Sequence, residues 1–221
     1  HAKTDVSEAA NAVEKDVIQW RHHFHEHPEL SNREYDTAKY VAKYLKGLGL
    51  EVQTGVAKTG VVAVLDSGKP GPVVALRADM DGLPVPEEND LSWRSKVKGE
   101  YNGKEVPVMH ACGHDGHTAM LLGAAQYLAE TRNFDGTVVV IFQPAEEGGG
   151  GGREMCKDGM MERWGIQEVY GMHNWPGIPA GQFGIRTGPF FAATDLLEIE
   201  VEGLGGHAAK PHETIDTGVV T

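Results

Sequence analysis

The chain has 221 residues, of which 40% are hydrophobic, and this composition excludes a largely disordered polypeptide. The formal net charge of −12 argues against a surface for nucleic-acid phosphates, and no apolar run reaches the ~18 residues of a membrane span. The chain has eleven histidines but only two cysteines, Cys112 and Cys156. Two cysteines cannot build a disulfide scaffold, so reduced thiols and a cytoplasmic location are expected, with an exported precursor as the alternative.

The first part of the chain predicts two helices followed by strands. Apolar side chains three or four residues apart indicate a helix that ends before Pro28 and a second helix over about 38–48. The short apolar runs 60–65 and 72–77 predict strands, because a Gly-Lys-Pro-Gly turn separates them. Residues 86–107 are polar and irregular, as expected of a loop or hairpin.

Helices and strands alternate in the middle of the chain. A helix is predicted over about 115–130, and the apolar run 137–142 predicts a strand that is buried on both faces. A helix at 153–163 and strands near 168–172 and 181–186 follow. This alternation predicts an α/β fold, with a mixed, mostly parallel sheet and flanking helices.

The pattern changes at residues 195–202. Leu196 and Ile199 roughly alternate there with glutamates, which is typical of a strand with one solvated face. This indicates the start of a second, α+β domain that is too short to close a core. The predicted domains are therefore residues 1–190 and the beginning of another at 191–221.

The run Met109-His-Ala-Cys-Gly-His-Asp-Gly-His117 is the strongest cluster of chemically useful side chains. Cys112 and His114 stand at the start of a predicted helix, where two donors separated by one glycine can converge on one point. A thiolate and an imidazole are good ligands for zinc or a similar divalent ion. The alternative is a buried thiol beside capping histidines.

The pair Glu146-Glu147 stands where the buried strand ends. Active sites of open α/β sheets collect at the carboxyl ends of strands, and adjacent carboxylates there repel unless a cation lies between them. One carboxylate could hold a metal while the other takes a proton from water. The alternative is a solvated acidic turn.

His173 ends another short predicted strand. His114, Glu147 and His173 are each about one β-α-β unit apart, so successive strand ends would offer ligands to the same edge. Asp79 and Asp81 follow a fourth strand and could orient an imidazole from outside the ligand set. A plain acidic turn is the alternative for these two aspartates.

His207 follows a glycine-rich stretch, and two interpretations compete for it. One presents the imidazole to a substrate. The other sees Gly203-x-Gly205-x-x-Ala208 as a dinucleotide fingerprint, which demands a helix directly afterwards, although Pro211 comes early.

Two further patterns bear on the chemistry. Cys112 could act as a nucleophile with a nearby histidine, although such a role does not need the downstream carboxylates. The end of the first predicted helix carries a histidine cluster, for which surface placement near the negative end of the helix dipole is expected. Its members are His22, His23, His25 and His27.

Together these motifs resemble the family of two-metal peptidases that holds the aminoacylases and glutamate carboxypeptidases. The likeness is greatest to its amidohydrolase branch, which includes hippurate hydrolases, N-acyl-amino-acid amidohydrolases and plant auxin-conjugate hydrolases. The matching runs span nearly the whole chain in the family's order: 25–30, 77–84, 109–117, 143–151, 171–174 and 203–212.

The resemblance implies a role for each matching residue. It implies four ligands of a two-metal site that takes zinc or manganese, with cobalt and nickel as further candidates: Cys112, His114, Glu147 and His173. Glu146 matches the general base. His207 matches a lid-domain histidine that stabilises the oxyanion, often in the partner subunit's active site, so a homodimer or homotetramer is implied.

The activity implied by the resemblance is metal-dependent hydrolysis of the amide bond of N-acyl amino acids or small peptide-like amides, with no nucleic-acid or membrane partner. The alternatives are an amidase that uses Cys112 as nucleophile and a non-catalytic metal- or peptide-binding homologue. The resemblance also implies that the chain is roughly the first half of the family's length, with the lid or dimerisation domain only begun. One further histidine ligand is then expected beyond it, so the chain alone is one ligand short.

Overall fold

The computed structural model of the protein describes residues 6–193, 195 and 197–220. The chain folds as two compact units, the first ending at Trp175 and the second beginning at Pro176. Among the described residues, no helix combines the length and apolar character that crossing a bilayer requires. The boundary expected at 190/191 between a catalytic and a lid domain stays a prediction.

The first unit contains five helices and seven strands among its described residues. In chain order they are α1 (Ser7–Glu26), α2 (Tyr35–Gly47), β1 (Glu51–Val56), β2 (Gly60–Asp66), β3 (Val73–Asp79), β4 (Lys98–Tyr101), β5 (Lys104–Pro107), α3 (His114–Thr131), β6 (Thr137–Gln143), α4 (Gly151–Lys157), α5 (Met160–Trp164) and β7 (Glu168–Gly171). The polar segment predicted as a loop or hairpin contains the β4–β5 hairpin.

The main sheet of the described residues has the strand order β1-β2-β6-β3-β7. Strands β1, β2 and β6 pair antiparallel, whereas β6, β3 and β7 pair parallel. The predicted mixed sheet with flanking helices is confirmed, but its pairings divide equally between the two types instead of being mostly parallel. The two antiparallel pairings are those of β2, which forms a tight hairpin with β1 and also runs antiparallel to β6.

Strand β6 lies at the centre of the sheet and is buried on both faces, as predicted from its apolar run. Val140 and Phe142 face a core built with α1, α2 and α3. Val139 and Ile141 face the other way, toward a smaller core that includes Met155 and other side chains around α4 and α5. Helices therefore cover both faces of the sheet, and only its edges reach solvent.

Several elements differ from the sequence predictions. Strand β1 was not predicted because it carries few apolar residues and lies at the edge of the sheet. The helix predicted at 153–163 is divided into α4 and α5, because Gly159 adopts a left-handed conformation with φ 76°. Residues 181–186, predicted as a strand, form none.

The second unit contains a 3₁₀ turn, Pro211–Glu213, and a short helix, α6 (Thr217–Val220). Leu196 lies outside the described residues, and the other residues of the predicted strand 195–202 form no strand. A strand needs a hydrogen-bonded partner, and the described part of this unit has only an isolated bridge between Leu204 and Ile215. The dinucleotide interpretation is wrong, since among these residues no strand precedes the glycines and no α-helix directly follows them.

Candidate metal centre

The parallel strands end together at one edge of the sheet. In the register of β3 and β6, Asp79 lies opposite Gln143, and Gly171 at the end of β7 lies opposite Arg77. The segments that leave these strands therefore emerge side by side, close to His114 at the start of α3. This is the edge at which open α/β sheets bind ligands.

The four predicted metal ligands and the predicted base lie together at this edge. Sγ of Cys112 is 3.3 Å from Nε2 of His173. Nε2 of His114 is 3.8 Å from Oε1 of Glu147 and 3.9 Å from Oε2 of Glu146. The donor atoms of these residues form two overlapping groups, each within 4.8 Å, and His114 belongs to both; a third such group joins His114 to Asp79 and His117.

The donor set fits a cation because two of its atoms are buried without a partner. Within the described part of the chain, Nε2 of His114 and Oε1 of Glu147 have no hydrogen-bond partner. An unpartnered buried polar atom costs ~1–3 kcal/mol, so a site that leaves two of them facing each other favours an ion between them. The other such atoms are the ring nitrogens of His110, whose burial lowers its pKa to about 4.

Asp81 orients the imidazole of His114. Nδ1 of His114 lies 2.8 Å from the carbonyl oxygen of Asp81 and 3.3 Å from its Oδ1. A proton on Nδ1 leaves the lone pair on Nε2, which is the atom that faces the other donors. Asp79 and Asp81 are both buried, so the alternative of a plain acidic turn is wrong.

His117 is a buried residue of the centre whose role the sequence did not predict. Its Nδ1 lies 2.6 Å from Oδ1 of Asp79, and its Nε2 lies 2.6 Å from Oδ1 of Asn174. Burial opposes ionisation of Asp79, yet the hydrogen bond from His117 and the charge of Arg77 hold the pKa of this carboxyl well below its usual range. The ring thus fixes the residue that follows His173. Its helical spacing from His114 was the available signal.

Gly113 makes the turn into α3 possible. It precedes the helix with φ 91°, a conformation that residues with a Cβ rarely adopt. A Cβ at this position would also collide with the side-chain amide of Asn174. The glycine between Cys112 and His114 therefore allows both donors to face the site while Asn174 packs against the backbone between them.

The pKa values of two candidate ligands are raised, which favours their protonated forms. Burial and the nearby Glu147 carboxylate raise the pKa of Cys112 to about 12. Burial raises the pKa of Glu147 as well, and Glu146 adds to the shift. Because thiolate and carboxylate are the binding forms, metal binding releases protons.

We expect the affinity for Zn²⁺ or Co²⁺ to rise with pH. Each displaced proton contributes ~10-fold per pH unit while its group is protonated in the free site, and the Cys112 thiol stays protonated throughout the neutral range. Competition titration with a chromophoric chelator between about pH 6 and 8 measures the slope. Affinity that does not change with pH would contradict thiolate ligation by Cys112.

A second network of buried hydrogen bonds holds the start of α3 through Asp115. Nδ1 of His25 lies 2.9 Å from Oδ2 of Asp115, and Nε2 lies 2.8 Å from Oε1 of Glu87. The predicted surface placement is therefore wrong for His25, because two carboxylates distant in sequence enclose the ring. Burial acts against its charge, but these two hydrogen bonds raise the pKa of His25. The imidazole links α1 and the segment before β4 to the residue after His114.

His207 lies in the second unit. Its side chain is exposed, and its Nδ1 accepts a hydrogen bond of 3.1 Å from the backbone N–H of Ala209. Its role at an oxyanion stays a prediction. Cys156, the other cysteine, is exposed on α4 and belongs to neither donor group.

The chain is similar in sequence to a known protein family and to several of its members. A model of the peptidase family M20/M25/M40 matches residues 75–220. The chain is 49% identical to thermostable carboxypeptidase 1 of Saccharolobus solfataricus over 218 residues, which are 97% of this chain and 52% of that protein. It is 45% identical to the N-acyl-L-amino acid amidohydrolase of Geobacillus stearothermophilus over 216 residues, or 97% of this chain and 56% of that protein.

A solved structure shows the same fold. The YXEP protein of Bacillus subtilis, described as a dinuclear metal binding peptidase from the M20 family, matches with a TM-score of 0.73 and 40% identity. The match covers 81% of this chain and 48% of that one. The chain spans about half the length of the curated relatives it matches.

Proposed function

Because the chain belongs to the peptidase family M20/M25/M40, we propose that it carries the metal centre of an enzyme that hydrolyses the amide bond of N-acyl amino acids or small peptide-like amides. The observation that carries the proposal is the convergence of Nε2 of His114 and Oε1 of Glu147, both buried and unpartnered in the described structure. The names of the relatives, an N-acyl-L-amino acid amidohydrolase and a carboxypeptidase, support this substrate class.

The proposed metal ligands divide between the two donor groups. Cys112 and His173 belong to one group and Glu147 to the other, with His114 in both, which suits a pair of divalent ions. Thiolate and imidazole favour zinc, whereas carboxylate also suits manganese. Such ions, when bound, supply Lewis-acid polarisation of the substrate carbonyl and a lowered pKa for water.

Glu146 is the proposed general base. Its side chain is 41% exposed, so it can reach both solvent and substrate, while Glu147 beside it is 18% exposed. In this role Glu146 takes a proton from the attacking water and later gives it to the leaving amine. The two adjacent carboxylates thus have different proposed roles: the more buried Glu147 binds metal, and the more exposed Glu146 transfers the proton.

Two roles in the proposal depend on parts of the protein outside the metal centre. His207 is proposed to donate a hydrogen bond to the developing oxyanion, in the manner that the family resemblance implies. A homodimer or homotetramer would allow that histidine to act in the partner subunit's site. The proposed substrate is small, and no nucleic acid or membrane takes part.

The test is a panel of N-acetyl, N-benzoyl and indole-acetyl amino acids, assayed with added Zn²⁺, Mn²⁺ or Co²⁺. We expect release of free amino acid that a chelator abolishes and added metal restores. A structural metal would instead make the chelated protein unfold, which circular dichroism detects. Release that survives complete removal of metal would refute the proposal.

A further inference from the structure

Three consecutive backbone amides in the turn after β6 donate to buried carboxylates. The N–H groups of Glu146 and Glu147 donate to the two carboxylate oxygens of Asp81, over 3.1 and 3.0 Å. The N–H of Ala145 donates over 2.8 Å to Oε1 of Glu34, a side chain with no exposed surface. The backbone that carries the proposed base and ligand is therefore held by two carboxylates from other parts of the chain.

Glu34 is held in turn by two other segments. Its Oε1 also accepts the N–H of Asn32 over 3.0 Å, and its Oε2 accepts the hydroxyl of buried Thr59 over 2.6 Å. Thr59 lies in the turn of the β1–β2 hairpin, so one carboxylate connects that hairpin, the start of α2 and the turn after β6. Any rotation of the Glu34 side chain would break at least one of these hydrogen bonds.

The conformation of Ala145 shows why the turn needs such support. Its φ of 51° is left-handed, which is unfavourable for a residue with a Cβ and persists only where the surroundings enforce it. The carbonyl of Ala145 accepts the N–H of Gly151 over 3.1 Å, so the segment folds back on itself. Loss of the Glu34 bond would remove a main restraint on this strained residue.

Glu34 does not serve the helix that it precedes. It is the N-cap residue of α2, yet its side chain makes no capping hydrogen bond. Glu29 does that work instead, because its carboxylate accepts the N–H groups of Asp36 and Thr37 and the hydroxyl of Thr37. The two glutamates are therefore a natural pair for comparison, one holding the turn and one capping the helix.

We propose that Glu34 is a positioning residue of the metal centre, which fixes the backbone at Ala145 and thereby the directions of Glu146 and Glu147. Only the consequence for metal binding and catalysis rests on the proposed function. The hydrogen bonds by which Glu34 holds the turn are a property of the fold. Among the described residues, the hydrogen bonds of the Glu34 carboxylate go to Asn32, Thr59 and Ala145 and not to a donor atom of the centre, so its effect on the centre passes through the backbone.

The test compares Glu34→Ala and Glu34→Gln with Glu29→Ala in the full chain. For Glu34→Ala we expect ~10-fold or faster hydrogen exchange of the amides of residues 145–147 in the metal-free protein, and ~10–100-fold weaker binding of Zn²⁺. Glu34→Gln should restore both, because its amide oxygen accepts the Ala145 N–H and its NH₂ can donate to the Thr59 hydroxyl. Glu29→Ala should lower the melting temperature without either effect.

Two results would overturn the proposal: unchanged exchange of these amides in folded Glu34→Ala, or equal changes at 145–147 in Glu29→Ala. If Glu34→Ala does not fold, Thr59→Val removes one restraint on the carboxylate and should speed the same exchange by a smaller factor; unchanged exchange there also overturns it. Hydrogen exchange is measured without metal or substrate. A failure of hydrolysis therefore refutes the proposed function, whereas the exchange rates of these amides test the role of Glu34 independently.

Discussion

Replacing Glu146 with glutamine is expected to lower kcat by ~10²–10⁴-fold while the metal content stays unchanged. The amide keeps the size of the side chain but cannot take a proton from water. The backbone bond from Glu146 to Asp81 does not depend on the side chain, so the turn should keep its conformation. Steady-state hydrolysis of the best substrate of the panel, together with elemental analysis of the protein, measures both quantities.

Glu154→Gln is a suitable control for this substitution. Glu154 is a partly exposed carboxylate on α4 that pairs with Lys157 and Arg153, so its replacement should leave turnover unchanged. Near-full turnover of Glu146→Gln would remove Glu146 from the mechanism. Loss of metal from this variant would instead make Glu146 a ligand, in keeping with its place in a donor group beside His114.

Replacing Cys112 with alanine is expected to weaken metal binding by more than the ~10–100-fold that is typical of losing a residue outside the ligand set. The thiol is a proposed metal ligand whose Sγ lies 3.3 Å from Nε2 of His173, and alanine offers no substitute. Isothermal titration with Zn²⁺ and elemental analysis of the purified variant check this result. Turnover should fall in parallel and recover partly at high metal concentration.

Cys156→Ala separates loss of a ligand from loss of a thiol in general. Cys156 is exposed and lies outside the donor groups, so this variant should bind metal as the parent does. Unchanged metal content with abolished turnover in Cys112→Ala would favour a nucleophilic cysteine. The raised pKa of Cys112, which burial and Glu147 push to about 12, speaks against that role because the thiolate is the nucleophile.

The clustering of the candidate metal ligands could be predicted because each has a local signal. Glu147 and His173 follow apolar runs that read as strands, and parallel strands bring their carboxyl ends to one edge. Cys112 and His114 flank a glycine just before an apolar helical pattern. Such signals depend only on neighbouring residues, so they can be recognised in the sequence without knowledge of the fold.

The supporting contacts could not be predicted in this way. His25 looks like a surface residue in its helix, and only the fold brings Asp115 and Glu87 to its two ring nitrogens. Glu34 likewise reads as an ordinary charged residue before a helix until the hairpin and the turn after β6 close around it. Burial of a polar side chain is a property of distant partners, which periodicity does not record.

The dispersed origin of the donors also has a thermodynamic consequence. Cys112, Glu147 and His173 reach one point only when β6, β7 and α3 are in place, so the unfolded chain offers no comparable site. An ion that binds the native state alone shifts the folding equilibrium by mass action, by about 2.7 kcal/mol when its free concentration is 100 times Kd. Free metal in the surroundings would then set how long the chain survives heat and proteolysis, quite apart from any reaction it catalyses.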